Sequence, residues 1–144
     1  MSLNGKNING ALFNQTPTIV GQAAAKINDV RCRVLKFDAN GNLALATAGT
    51  DIPVGIALIE EGANDITGAE SGKVEAGDDV TVLIKDIGFA LAGADITKGQ
   101  ELTASTGGTV VPASAGNYVI GFALATVESG GIVKIQLAKY QKNA

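Results

Sequence analysis

The sequence contains no histidine, which removes the Ser-His-Asp and Cys-His arrangements and most zinc sites. One cysteine, Cys32, excludes an internal disulfide and a structural cysteine-metal cluster, and it fits a reducing compartment. Tryptophan is absent and aromatic residues are 4% of the chain. Phe13, Phe37, Phe89, Tyr118, Phe122 and Tyr140 are too scattered to form a stacking platform for bases or sugars. Positive charge is short as well: 11 Lys and Arg against 14 Asp and Glu leave a net charge of −3, the wrong sign for neutralising phosphates. No apolar run approaches the roughly 20 residues needed to span a bilayer. The opening Met1-Ser-Leu-Asn-Gly-Lys-Asn7 lacks the basic and apolar regions of a secretion signal. These absences predict a soluble intracellular product that binds neither nucleic acid nor membrane and holds no cofactor and no metal.

Catalytic patterns are missing too. No Walker or dinucleotide glycine pattern occurs, and no serine stands in a G-x-S-x-G turn. The carboxylate doublets Glu60-Glu61 and Asp78-Asp79 would point to opposite faces of a strand, so neither makes a ready acid/base pair. The sequence reads as that of a protein that is not an enzyme.

What is present is small and aliphatic. The chain is 46% hydrophobic, mostly Ala, Val, Ile and Leu, with 19 glycines for turns. One phrase occurs three times: Val54-Gly-Ile-Ala-Leu58, Ile87-Gly-Phe-Ala-Leu91 and Ile120-Gly-Phe-Ala-Leu124. Its alternation predicts strands with one bulky face and one face of Gly and Ala. Repeated glycine in a strand points either to close approach of another backbone or to a small, crowded core.

Residues 1–26, rich in Asn, Gln, Thr and Ala with Pro17 and Gly21 as interruptions, predict an extended N-terminal arm, with a first strand of the main domain as the alternative. From Val30 the strand signals begin, with Val30, Cys32 and Val34 inward and Arg31, Arg33 and Lys36 on a basic face. Asn40-Gly41 predicts a type I′ hairpin turn; the surrounding Asp38–Asn42 resembles a calcium loop only faintly, since Gly49 stands where a Glu is needed. Residues 61–76 form an acidic, Gly-rich excursion, and Asp86 marks a bend. The stretches Ile27–Leu58 and Ile96–Leu124 run through the same succession of turn, strand, Gly turn, strand and signature phrase. This predicts a duplicated meander, with the middle phrase outside the match. The fold class expected is all-β, a small antiparallel β-sandwich or barrel over residues 27–144 behind the arm.

Ile96-Thr-Lys-Gly-Gln-Glu-Leu102, the Gly107-Gly108 turn, Tyr118-Val-Ile-Gly-Phe-Ala-Leu124 and the closing Gly130-Gly-Ile-Val-Lys-Ile-Gln-Leu137 together resemble the decoration, or head cement, proteins of tailed bacteriophages. The resemblance spans about residues 27–138. It implies a β-rich domain, made in the bacterial host cytoplasm, that trimerises on the outer face of the capsid, binds the major capsid protein and stabilises the shell. The bare strand faces also suggest burial against copies of the same chain, as a cyclic homotrimer. The alternative is a phage head-fibre or tail-associated module that recognises a host glycan or receptor. Candidate capsid contacts are Leu3, Ile8, Leu12, Phe13, Ile19 and Val20 in the arm, together with Arg31, Arg33 and Lys36. Candidate subunit-packing residues are Gly55, Ala57, Gly121 and Ala123.

Overall fold

The computed structural model describes residues 16–64 and 66–143. Alternation dictates its strands: Val80 and Val82 are buried at every second position of one strand, and Val133, Ile135 and Leu137 do the same in another. The elements are β1 (Thr18–Gln22), β2 (Val34–Phe37), β3 (Leu43–Leu45), β4 (Gly55–Ala57), β5 (Asp79–Leu83), β6 (Ile87–Leu91), β7 (Glu101–Ser105), β8 (Thr109–Pro112), β9 (Tyr118–Ala123) and β10 (Ile132–Gln141). They form two antiparallel five-stranded sheets, ordered β1-β5-β4-β2-β3 and β6-β10-β9-β7-β8, packed as a β-sandwich.

The second order is the first with five added to every strand number. Register agrees residue by residue. Leu35 pairs with Leu45 and Phe37 with Leu43, as Leu102 pairs with Pro112 and Ala104 with Val110. Val34 pairs with Ile56, as Glu101 pairs with Phe122. Ile56 pairs with Leu83, as Phe122 pairs with Gln136. Even isolated bridges recur, Ala23 with Leu43 and Ile27 with Val74, then Ala92 with Val110 and Ile96 with Val127. The chain is thus two repeats, and the duplication includes β1 and β6. The acidic excursion lengthens only the first repeat.

Several expectations change at this level. The boundary at residue 26 does not hold: residues 18–22 are β1, paired antiparallel with β5, because Ile19 finds a place against the first repeat's core and Gly21 leaves room for Leu43. The first and third signature phrases do occupy matching places, in β4 and β9. The middle phrase is β6, the counterpart of β1, and its bulky side faces outward: Ile87 and Phe89 are each 48% exposed while Gly88 and Ala90 are buried. A Cβ on Gly88 would come within 2.3 Å of Leu83 Cδ2, so the narrow space faces inward.

The strand expected from Val30 begins only at Val34, because the chain turns at Arg31 and Cys32. Cys32 does point inward, at 2% exposure, but with a left-handed φ of 59°. Its amide donates to Ala57 O, as the Gly99 amide donates to Ala123 O, so Cys32 stands where the second repeat uses a glycine with φ 93°. Burial pushes its thiol pKa up, which keeps it protonated and unreactive. The Asn40-Gly41 hairpin is present, but only Gly41 has positive φ. Gly41 N donates to Asp38 O, and Asp38 Oδ1 accepts from the Asn40 and Asn42 amides. This is a turn closed by one left-handed glycine and tied by the Asp38 carboxylate, and not a type I′ turn, which needs two positive φ values. Asp86 marks the bend into β6 with φ 71°.

Two apolar clusters hold the sheets. Leu35, Leu43, Ala57, Val80 and Val82 belong to the first. Leu102, Val110, Ala123, Val133 and Ile135 occupy the corresponding places in the second, which also takes in Val34, Ala46, Ile56 and Leu83 from the outer face of the first sheet.

Candidate interaction surfaces

The three basic residues expected to present a charged face are engaged within the chain. Arg31 Nε and Nη2 donate to Asp29 Oδ1 and Oδ2, both at 2.9 Å. This paired hydrogen bond, ahead of the opposing effect of burial, holds the Asp29 carboxyl below its ordinary range. Arg33 reaches across to the second repeat, where Nη1 donates to Gly107 O at 2.8 Å, and its buried Nε has no partner. Lys36 Nζ donates to Asp51 Oδ1 at 2.9 Å. The trio braces turns and the repeat junction instead of forming one open face.

Asp51 ties that region together. Its Oδ2 accepts from the Thr47 amide at 2.9 Å and the Ala48 amide at 3.3 Å. Burial raises its pKa, but the Thr47 amide and Lys36 outweigh it, so the carboxyl titrates below its ordinary value of 3.8. A carboxylate with a depressed folded-state pKa gives stability that is complete above the unfolded value and lost as pH falls through the folded one. Asp51→Ala should therefore cost about 1–2 kcal/mol at neutral pH, allowing for partial solvent screening. Urea unfolding at pH 7 and at pH 3 checks this: the gap between variant and wild type should narrow at the lower pH.

Of the arm residues, Ile19 packs against the first repeat's core and Val20 is 63% exposed on β1. Leu3, Ile8, Leu12 and Phe13 lie outside the described residues. Gly55, Ala57, Gly121 and Ala123, expected at a subunit contact, are all covered by their own chain. The backbone that approaches Gly55 and Gly121 is the neighbouring strand of the same sheet, at Leu83 O and Gln136 O. Antiparallel neighbours lie close enough to fill that space, so these residues offer no surface to a second copy.

Sequence reasoning missed the outer face of β6, β10 and β9, because alternation separates a bulky side from a small one without saying which meets the core. Ile87, Phe89, Ile132 and Phe122 are at least one-third exposed there. Phe122 and Tyr140 pack with ring centroids 6.1 Å apart. The Tyr140 hydroxyl donates to the Glu101 carboxylate, and burial followed by this bond pushes its pKa up to about 12. Lys142 Nζ completes the group at 3.2 Å from Glu101 Oε1. An apolar groove of about 230 Å³ runs between the repeats, lined by Ile56, Leu58, Ile59, Leu83, Ile87 and Phe89. Glu60 is its one charged lining residue, so the groove has no pair of groups for acid/base chemistry. No cluster of three or more His, Cys, Asp or Glu suited to a metal occurs among the described residues.

The chain is a duplicated β-sandwich with exposed apolar residues on the outer face of β6, β10 and β9. A solved structure of the same fold is the head fiber gp8.5 N base of bacteriophage phi29, with a TM-score of 0.60 and 21% identity, covering 88% of this chain and 98% of that one. The family model described as structural cement protein (E217 gp24/Pam3 gp6) matches residues 3–138. The chain belongs to this phage structural cement family. No curated protein sequence matches it.

Proposed function

We propose that the chain binds the outer surface of a phage capsid through the major capsid protein and reinforces the shell without catalysing a reaction. It acts as a self-associated unit, a homotrimer, on the virion. The observation that carries this reading is the family match over residues 3–138, which takes in both repeats and most of the segment before β1. That segment is the anchor in this reading. Leu3, Ile8, Leu12 and Phe13 are spaced through an Asn-rich background, with Lys6 as the charge among residues 1–15. Such a segment orders on a partner by placing apolar side chains into pockets one by one. Ordering costs about 2–5 kcal/mol, which burial of a few of these side chains at about 1.5–3 kcal/mol each offsets. Several copies acting together then give tight attachment. Arg31, Arg33 and Lys36 have internal partners and are the weaker candidates.

The test is deletion of residues 1–15, which stops before β1 and so spares its pairing with β5. The truncated protein should melt like wild type yet no longer co-sediment with undecorated capsids. Wild-type occupancy by the truncated protein would move the anchor onto the β-sandwich.

A further inference from the structure

The contact between the two repeats is not symmetrical. Val34, Ala46, Ile56 and Leu83, on the outer face of the first sheet, are buried in one cluster with Ala104, Ile120 and Leu137, at one end of the second repeat's core. Arg33 Nη1 to Gly107 O at 2.8 Å, Tyr118 N to Gly49 O at 2.8 Å and Lys139 Nζ to Val54 O at 2.7 Å cross the same junction. The first repeat contributes its outer face, and the second contributes the open end of its core.

Each surface has a counterpart that the chain leaves only partly covered. The register makes Glu101, Ala113, Phe122 and Gln136 the equivalents of Val34, Ala46, Ile56 and Leu83; none of these four is buried, and Phe122 is 36% exposed. Phe37, Val54 and Ile84 are the equivalents of Ala104, Ile120 and Leu137; none of them is buried, and Phe37 is 51% exposed. A single chain therefore carries one used pair of these surfaces and one unused pair, on different repeats. Each unused surface carries a large, partly exposed aromatic, Phe37 on one and Phe122 on the other, the residue type that makes strong anchors once buried.

We propose that copies of this chain join head to tail by repeating the internal contact: the outer face around Phe122 of one copy packs against the core end around Phe37 of the next. A heterologous contact of this kind continues until the rotation closes a ring. This gives the self-association in the preceding reading its surfaces, while shell attachment is a separate property read by co-sedimentation.

Light scattering on gel-filtered protein at micromolar concentration tests it with wild type, Phe37→Asp, Phe122→Asp and an equimolar mixture of the two variants. Wild type should be an oligomer of three or more copies. Each variant should be a folded monomer, with Phe122→Asp melting below Phe37→Asp because it also loses the Tyr140 ring contact within its own chain. The mixture should give a one-to-one dimer, because one intact contact survives between unlike variants. A monomeric wild type, a variant that keeps wild-type mass, or a mixture that stays monomeric each overturns the proposal; the last would mean a self-complementary interface. Phe37→Ser and Phe122→Ser replace either variant that fails to fold.

Discussion

Gly55→Val and Gly121→Val are each expected to lower stability by about 3–5 kcal/mol, beyond the usual penalty for an overpacked site. A Cβ on Gly55 would lie 2.0 Å from Leu83 O and 2.8 Å from Val82 Cγ1. On Gly121 it would lie 2.2 Å from Gln136 O. The obstruction is strand backbone, so no side-chain rotation relieves it, and β4 must part from β5 or β9 from β10. Valine's better strand propensity, worth at most about 1 kcal/mol, does not compensate. With total stability of about 5–15 kcal/mol for a domain, such a loss drops the melting temperature by about 10 °C or more. Thermal and urea unfolding measure it. A variant that melts within a few degrees of wild type would show that the sheets tolerate the extra carbon and that the glycines are incidental.

The second large effect comes from two equivalent positions with opposite outcomes. Ile56 and Phe122 hold the same place in β4 and β9, yet Ile56 is 1% exposed and Phe122 is 36% exposed. Ile56 is closed in because the second repeat covers it, alongside Val34 and Leu83. Ile56→Ala should therefore cost about 2–5 kcal/mol through lost burial and the cavity left behind. Phe122→Ala should cost the isolated chain less, about 1–2 kcal/mol from the Tyr140 contact and partial burial, although the larger side chain is removed. Urea unfolding of both variants, at concentrations where the protein is monomeric, makes the comparison. Equal losses would mean that the second repeat's outer face is covered within the monomer after all.

The duplicated meander was legible in the sequence because strand alternation and glycine turns are local signals. Asn40-Gly41, Gly107-Gly108 and Gly130-Gly131 announce their turns through the backbone conformations they permit. The absence of histidine settled which catalytic arrangements the chain lacks before any fold was known. The faces of the strands were not legible in the same way. Alternation shows that Ile87 and Phe89 lie opposite Gly88 and Ala90, but not which side meets the core; that depends on Leu83, a residue of the other repeat, standing against Gly88. The basic trio likewise looked like one charged face, since sequence spacing carries no sign of Asp29, Asp51 or the Gly107 carbonyl turning toward it. The place of β1 was decided by pairing with β5, some sixty residues away, where long-range hydrogen bonds and burial outweigh a polar local composition. Local chemistry fixed the elements and their order, and contacts distant in sequence chose which side of each element faces inward.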